Sequence, residues 1–98
     1  MTTDALIDAM LDDVMLTLDE LCRATAAPPH WVRQRVEQGL LATAPSPWHF
    51  DAAALRRARV LWRLERDFDA VPELAALVAD LEDEIDRLRA RLRRAGLE

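Results

Sequence analysis

Thr17-Leu18-Asp19-Glu20-Leu21, Pro28-Pro29-His30-Trp31-Val32-Arg33, Gly39-Leu40-Leu41 and Trp48-His49-Phe50-Asp51 punctuate residues 17–51 and decide the fold. Thr17 with Glu20 has the spacing of a capping box, in which two side chains satisfy two orphan amides at a helix start. Leu18, Leu21 and Cys22 then share one face, after a short extended lead-in over 14–18. Pro28 and Pro29 cannot sit inside a helix but suit its first turn. Val32 and Val36, four apart, mark the inner face of this second helix, flanked by Trp31 or Arg35. Gly39 supplies the left-handed residue that commonly follows a helix end. Pro45-Ser46-Pro47 is a turn. Extended segments on either side, Leu40–Thr43 and Trp48–Phe50, predict a small two-stranded wing that must pack on helices to persist. The pattern is a helix-turn-helix followed by a wing. A wing that grips DNA needs cations to meet phosphates, and residues 40–51 contain neither Arg nor Lys. The stretch reads as a DNA-binding scaffold put to another use.

Downstream, Asp51 is a good N-cap for a helix running to about Arg66, with Leu55, Ala58, Leu61, Trp62 and Phe68 toward the core. The strongest periodicity follows. Val71, Leu74, Val78, Leu81, Ile85, Leu88 and Leu92 alternate spacings of three and four, the a/d seam of a coiled coil. Val78, Ile85 and Leu92 take one seam position, and Leu74, Leu81 and Leu88 the other. So narrow a stripe needs a facing surface, and a second copy is the simplest source. Acids (Glu73, Asp80, Glu82, Asp83, Glu84, Asp86) precede cations (Arg87, Arg89, Arg91, Arg93, Arg94) along this helix. Two antiparallel copies would lay acid halves over basic halves, whereas β-branched residues at a with Leu at d argue for a parallel pair. The charges favour the antiparallel arrangement. Upstream, Ile7, Met10, Leu11 and Val14 form an amphipathic stripe opposite Asp4, Asp8 and Asp12.

These signals divide the 98 residues into an acidic N-terminal arm or short helix (1–16), a helix-turn-helix domain (17–70) and a C-terminal dimerisation helix (71–98). The class is mainly α. All thirteen cations are Arg. Charge is partitioned: −6 over residues 1–20, +5 over 21–66 and −4 over 67–98, within a net charge of −5. No apolar run is long enough to span a bilayer, and the first residues lack the basic stretch of a secretory leader. One cysteine, Cys22, suits a reducing compartment as a small buried apolar side chain.

The residues of common catalytic and metal sites are sparse. His30 and His49 are the only histidines and do not combine with Cys22 at zinc-site spacing. Two glycines, Gly39 and Gly96, make no phosphate-cradling loop. The carboxylates fall on helix faces expected to be solvated. Neither an enzyme nor a cofactor is expected.

The order helix, helix, wing, helix, long coiled-coil helix resembles the MerR-type winged helix-turn-helix, and within it the chaperone-modulator CbpM family. The resemblance runs over roughly residues 14–94. It is carried by Leu18-Asp19-Glu20-Leu21-Cys22, Val36-Glu37-Gln38-Gly39-Leu40-Leu41, Trp48-His49-Phe50-Asp51, Leu55-Arg56-Arg57, Arg63-Leu64-Glu65-Arg66-Asp67 and the Ile85, Leu88, Leu92 coil. Relative to DNA-binding MerR proteins, Gln34 and Arg35 stand where tyrosines are usual, and Trp48 stands at the wing arginine. The resemblance implies binding to the J-domain of a DnaJ/CbpA-like co-chaperone. It further implies inhibition of that co-chaperone's stimulation of the DnaK-type chaperone, and of its DNA binding. It implies a cytoplasmic place, or a nucleoid-associated one through the co-chaperone. Interfaces concentrate energy in aromatic anchors, so Trp31 and Trp48, with Asp12, Asp13 and Asp19, are the expected contacts. The competing expectation is a MerR-type DNA-binding regulator using Arg33, Arg35, Arg56, Arg57 and Arg59, with Arg63 and Arg66. A plain dimerisation module is the third.

Overall fold

A computed structural model describes residues 15–45 and 47–97. The apolar stripe of the acidic arm (Ile7, Met10, Leu11, Val14) lies outside the described residues, as do Asp12 and Asp13. Among the described residues, four helices and one two-stranded sheet are formed: β1 (Leu16–Thr17), α1 (Leu18–Thr25), α2 (Pro29–Glu37), β2 (His49–Phe50), α3 (Ala52–Phe68) and α4 (Pro72–Arg94).

Each helix begins where local chemistry places it. The Thr17 hydroxyl accepts from the Glu20 amide at 3.2 Å, while the Glu20 carboxylate accepts from the Thr17 amide at 2.9 Å. Pro28 caps α2, and its carbonyl accepts from the Val32 amide. Asp51 accepts from the Ala54 amide at 2.8 Å to start α3. Gly39 follows α2 at φ 75°, and Gly96 follows α4 at φ 73°. Two non-glycine residues also take the left-handed region at helix ends, Ala26 after α1 (φ 60°) and Asp69 after α3 (φ 56°).

The sheet pairs differently from the sequence expectation. β2 runs antiparallel to β1, with Leu16 opposite Phe50 and Thr17 opposite His49. The extended lead-in is therefore the main partner of β2. Leu40 and Leu41 do not form a strand, because both their amides donate to the Arg35 carbonyl and fold this stretch back onto α2. Pro45 and Pro47 lack amide donors, so the 44–49 turn closes with a single bridge, Ala44 to His49. The Thr43 hydroxyl adds a bond to the His49 carbonyl at 3.1 Å.

Leu21, Val32, Leu41, Phe50, Leu55 and Leu61 are the buried centre, where all four helices and the sheet meet. Each large apolar side chain so buried contributes about 1.5–3 kcal/mol. α4 closes against α3 through its small residues Ala75, Ala76 and Ala79, all buried. Its 23 residues span about 34 Å at 1.5 Å per residue, so it accounts for much of the 44 Å long axis. Phe68, expected in the core, is 70% exposed instead. It is the last residue of α3, immediately before the chain turns into α4.

Helix α2 is joined to α3 by a polar knot. Arg35 is only 7% exposed. Its guanidinium forms a two-pronged pair with the Glu65 carboxylate, the Nε bond measuring 2.9 Å. The Trp31 indole N–H donates to the same carboxylate at 3.0 Å. Arg35 also reaches Gln38 at 3.2 Å and lies over the Trp31 ring, 5.2 Å from its centroid. Trp62 meets the Trp31 ring edge-on at 5.2 Å. Burial pushes the Glu65 carboxyl up, but the hydrogen bonds from Arg35 and Trp31 and the Arg35 charge outweigh this and hold it below its ordinary value.

Two predictions follow from this geometry. The left-handed region costs a non-glycine residue about 1–2 kcal/mol. Ala26→Gly therefore raises the free energy of unfolding by about 0.5–1 kcal/mol once the extra freedom of glycine in the unfolded chain is deducted; denaturant titration measures it, and a loss of stability would contradict it. The lowered pKa of Glu65 gives a definite sign with pH. Its stabilising share is present above the unfolded value near pH 4.3 and is lost as the pH falls through the lower folded value. Glu65→Gln strands a buried guanidinium, lowering stability at pH 7 by about 3 kcal/mol and flattening the acid side of the stability profile. An unchanged acid limb in that variant would remove Glu65 as its cause.

Candidate partner-binding surface

With Trp31, Val32 and Arg35 turned inward, α2 directs Arg33 and Glu37 outward. Beside them the start of α1 and the 45–48 turn leave an open groove lined by Leu18, Arg33, Glu37, Pro47 and Trp48. Trp48 is half-buried and stands edge-on to Phe50 with ring centroids 6.3 Å apart. One flank of its indole is thus anchored in the body while the ring lines the groove. Arg33 and Glu37, four apart on one helix face, place opposite charges on the groove wall. A groove lined by Leu18, Pro47 and an indole, with one cation and one carboxylate, suits a protein side chain better than a phosphate.

The sequence-predicted contact residues separate in space. Trp48 lines this groove. Asp19 is exposed in the first turn of α1, next to the groove residue Leu18. Trp31 is buried and its indole nitrogen is committed to Glu65, so it is part of the core and no surface anchor. Leu18, Glu37 and Pro47 were not anticipated as site residues. The i, i+4 relation of Arg33 and Glu37 was the available signal for one of them.

The arginines proposed for DNA divide likewise. Arg35 is sealed against Glu65. Arg57 donates to the Leu40 carbonyl at 2.7 Å and to Asp80 of α4 at 2.7 Å. Arg59 donates to the Ala24 carbonyl at 3.3 Å. Arg63 pairs with Glu82 at 3.5 Å and Arg66 with Asp67 at 2.8 Å. Arg33 and Arg56 are exposed. Much of the cationic middle therefore knits the molecule together.

Of the expected α4 seam, Leu74, Leu81, Ile85, Leu88 and Leu92 are exposed, and Leu77 joins them. Val71 is the N-cap of the helix, and Val78 is half-buried. Cys22 is buried; burial, with the nearby Asp19 charge, pushes its thiol up and makes it a poor nucleophile, while Arg33 pulls the other way. His30 is exposed, and the His49 ring approaches the Pro47 carbonyl at 2.9 Å. Among the described residues no cluster of His, Cys, Asp and Glu is placed to hold a metal ion. No helix among them is long and apolar enough to cross a membrane.

No protein-family model matches the chain, and no solved structure matches it. Curated proteins do. The chaperone modulatory proteins CbpM from three strains of Coxiella burnetii are each 32% identical to it over 81 residues, covering 80% of this chain and 76% of theirs. That identity extends over four-fifths of the sequence, far beyond any one helix. The chain belongs to the CbpM family of chaperone modulatory proteins.

Proposed function

We propose that this chain is a non-enzymatic adaptor that occupies the J-domain of a DnaJ/CbpA-like co-chaperone. Occupancy holds back that co-chaperone's stimulation of the DnaK-type chaperone, and its DNA binding, by competition. The observation that carries the reading is kinship with proteins named chaperone modulators over most of the chain. The fold is read as MerR-like, with the 44–49 turn as a much reduced wing, and the protein as a cytoplasmic homodimer joined through α4.

The physics of the surface supports this use. A J-domain works through a basic helix and a His-Pro-Asp loop, which an acidic partner can cover. The groove beside Trp48 offers an aromatic anchor, and Asp19 contributes charge next to it, with Asp12 and Asp13 on the preceding arm. Complementary charge speeds encounter, while the desolvated aromatic supplies most of the affinity. DNA binding finds little support, because Arg35 and Arg57 are engaged inside the molecule and the turn carries no cation.

The expected outcome is a stoichiometric complex with the cognate J-domain and a fall in J-stimulated ATP hydrolysis. Trp48→Ala weakens the complex at least tenfold, about 1.4 kcal/mol, as does the exposed variant Asp19→Arg, which leaves the core untouched. Isothermal titration with each variant checks this, circular dichroism confirming that it is folded. Absence of any complex at micromolar concentration in low salt would overturn the proposal.

A further inference from the structure

Helix α3 carries a ridge of arginine. Arg56, Arg59 and Arg63 follow at intervals of three and four on one helical face, and no acid lies between Asp51 and Glu65. Arg56 is exposed, Arg59 is half-buried beside the Ala24 carbonyl, and the Arg63 side chain is 52% exposed. Ala53, exposed, and Val60, half-buried, border the ridge. Arginine stems extend this apolar floor while their guanidinium heads stay at its edges. A guanidinium has five N–H donors, so each can hold more than one acceptor. The surface has the chemistry of a seat for an acidic amphipathic segment.

The chain itself supplies such a segment. Residues 4–14 set Ile7, Met10, Leu11 and Val14 in an apolar stripe and carry Asp4, Asp8, Asp12 and Asp13 with no cation. They join the described fold at the start of α3. The β1–β2 register, Leu16 opposite Phe50 and Thr17 opposite His49, puts Met15 beside Asp51 when continued by one residue. Met15 and Asp51 border one shallow hollow, in agreement with that register. Asp51 is the N-cap of α3. Arg56 and Arg63 lie five and twelve residues further on, about 7.5 and 18 Å along the helix. Residues 1–14 reach about 21 Å even at the helical rise, and further when extended.

We propose that residues 4–11 lie over the α3 ridge of their own chain as a built-in polyanion mimic. The apolar stripe rests on Val60 and the arginine stems, and Asp8 and Asp4 meet Arg59 and Arg63. A phosphate chain then reaches those guanidiniums only by displacing the segment. One exposed ion pair is weak, but a tether this short raises the local concentration of the segment to about the millimolar range. Other cations make poorer seats. Arg33 shares its groove wall with Glu37. The arginines of α4 follow directly on Asp83, Glu84 and Asp86, and Glu84 already pairs with Arg87. Asp12 and Asp13, nearest Met15, stay clear of the ridge. The cover belongs to the free chain and does not depend on the J-domain reading.

The test uses the full chain in a C22A background, since Cys22 is the only native thiol. Ile7→Cys with Val60→Cys should close an intramolecular disulfide under mild oxidation, read by mass spectrometry of the uncrosslinked-size band, with circular dichroism confirming the fold. Ile7→Cys with Ala90→Cys, among the arginines of α4, should not. Linkage to position 90 in preference to 60, linkage only between two chains, or linkage to neither would overturn the proposal. Asp4→Asn with Asp8→Asn should slow closure at least about threefold. Without the added cysteines, the same pair should tighten binding of a short fluorescent DNA duplex at low salt at least about threefold. Asp12→Asn with Asp13→Asn changes the net charge equally and should leave both readings near those of the parent chain. Equal gains from the two pairs would assign the effect to net charge and overturn the cover. The J-domain titration is read independently.

Discussion

Glu65 accepts three N–H groups from α2: the Trp31 indole and two nitrogens of Arg35. This carboxylate fixes how α2 lies on α3, and the rest of the surface follows from that angle. Taking a carboxylate and a guanidinium out of water is costly, and a buried ion pair often adds little net stability over an apolar replacement. Its strength is selectivity. A packing in which α2 turned by one residue would carry Arg35 away and leave the half-buried Glu65 carboxylate unmatched. With Trp31, Val32 and Arg35 held inward, Arg33 and Glu37 must face the groove beside Trp48.

The same logic separates the faces of α4. Alanines at 75, 76 and 79 let its backbone approach α3 closely, and Arg57 and Arg63 fasten the contact from α3 to Asp80 and Glu82. A leucine on that face would hold the two helices apart. The leucines occupy the opposite face, where they remain about half exposed. One helix therefore carries an internal contact of small residues on one face and exposed large apolar residues on the other.

Local signals were legible in the sequence, and non-local ones were not. The caps at Thr17 and Asp51 and the left-handed Gly39 depend on residues within a few positions, so spacing alone revealed them. The partner of β2 depended on where Leu40 and Leu41 turned, which the Arg35 carbonyl decides. Nothing within the run Leu40–Thr43 announces that choice. Trp31 and Trp48 look equally suitable as anchors in the sequence. What divides them is Glu65, 34 residues after Trp31, whose carboxylate receives one indole and not the other. Six of the seven positions of the narrow heptad pattern are exposed, and Leu77, exposed beside them, lies outside strict a and d positions.

Charge along a chain is a poor guide to charge on a surface. Residues 21–66 carry +5, which in isolation suggests a partner rich in phosphate. Folding brings the acids of α4 and the end of α3 to those arginines, Asp80 to Arg57, Glu82 to Arg63 and Asp67 to Arg66, while Glu65 takes Arg35. A phosphate backbone would have to compete for guanidiniums that already hold carboxylates or carbonyls, and would release few counterions in doing so. Of the acids in residues 1–20, the described ones are not cancelled in this way: Asp19 is exposed, and Glu20 is occupied with the Thr17 amide. The sign presented around the groove is therefore set less by the number of arginines than by which acids reach them. On that count the proposed contact with a J-domain is better served than one with a nucleic acid.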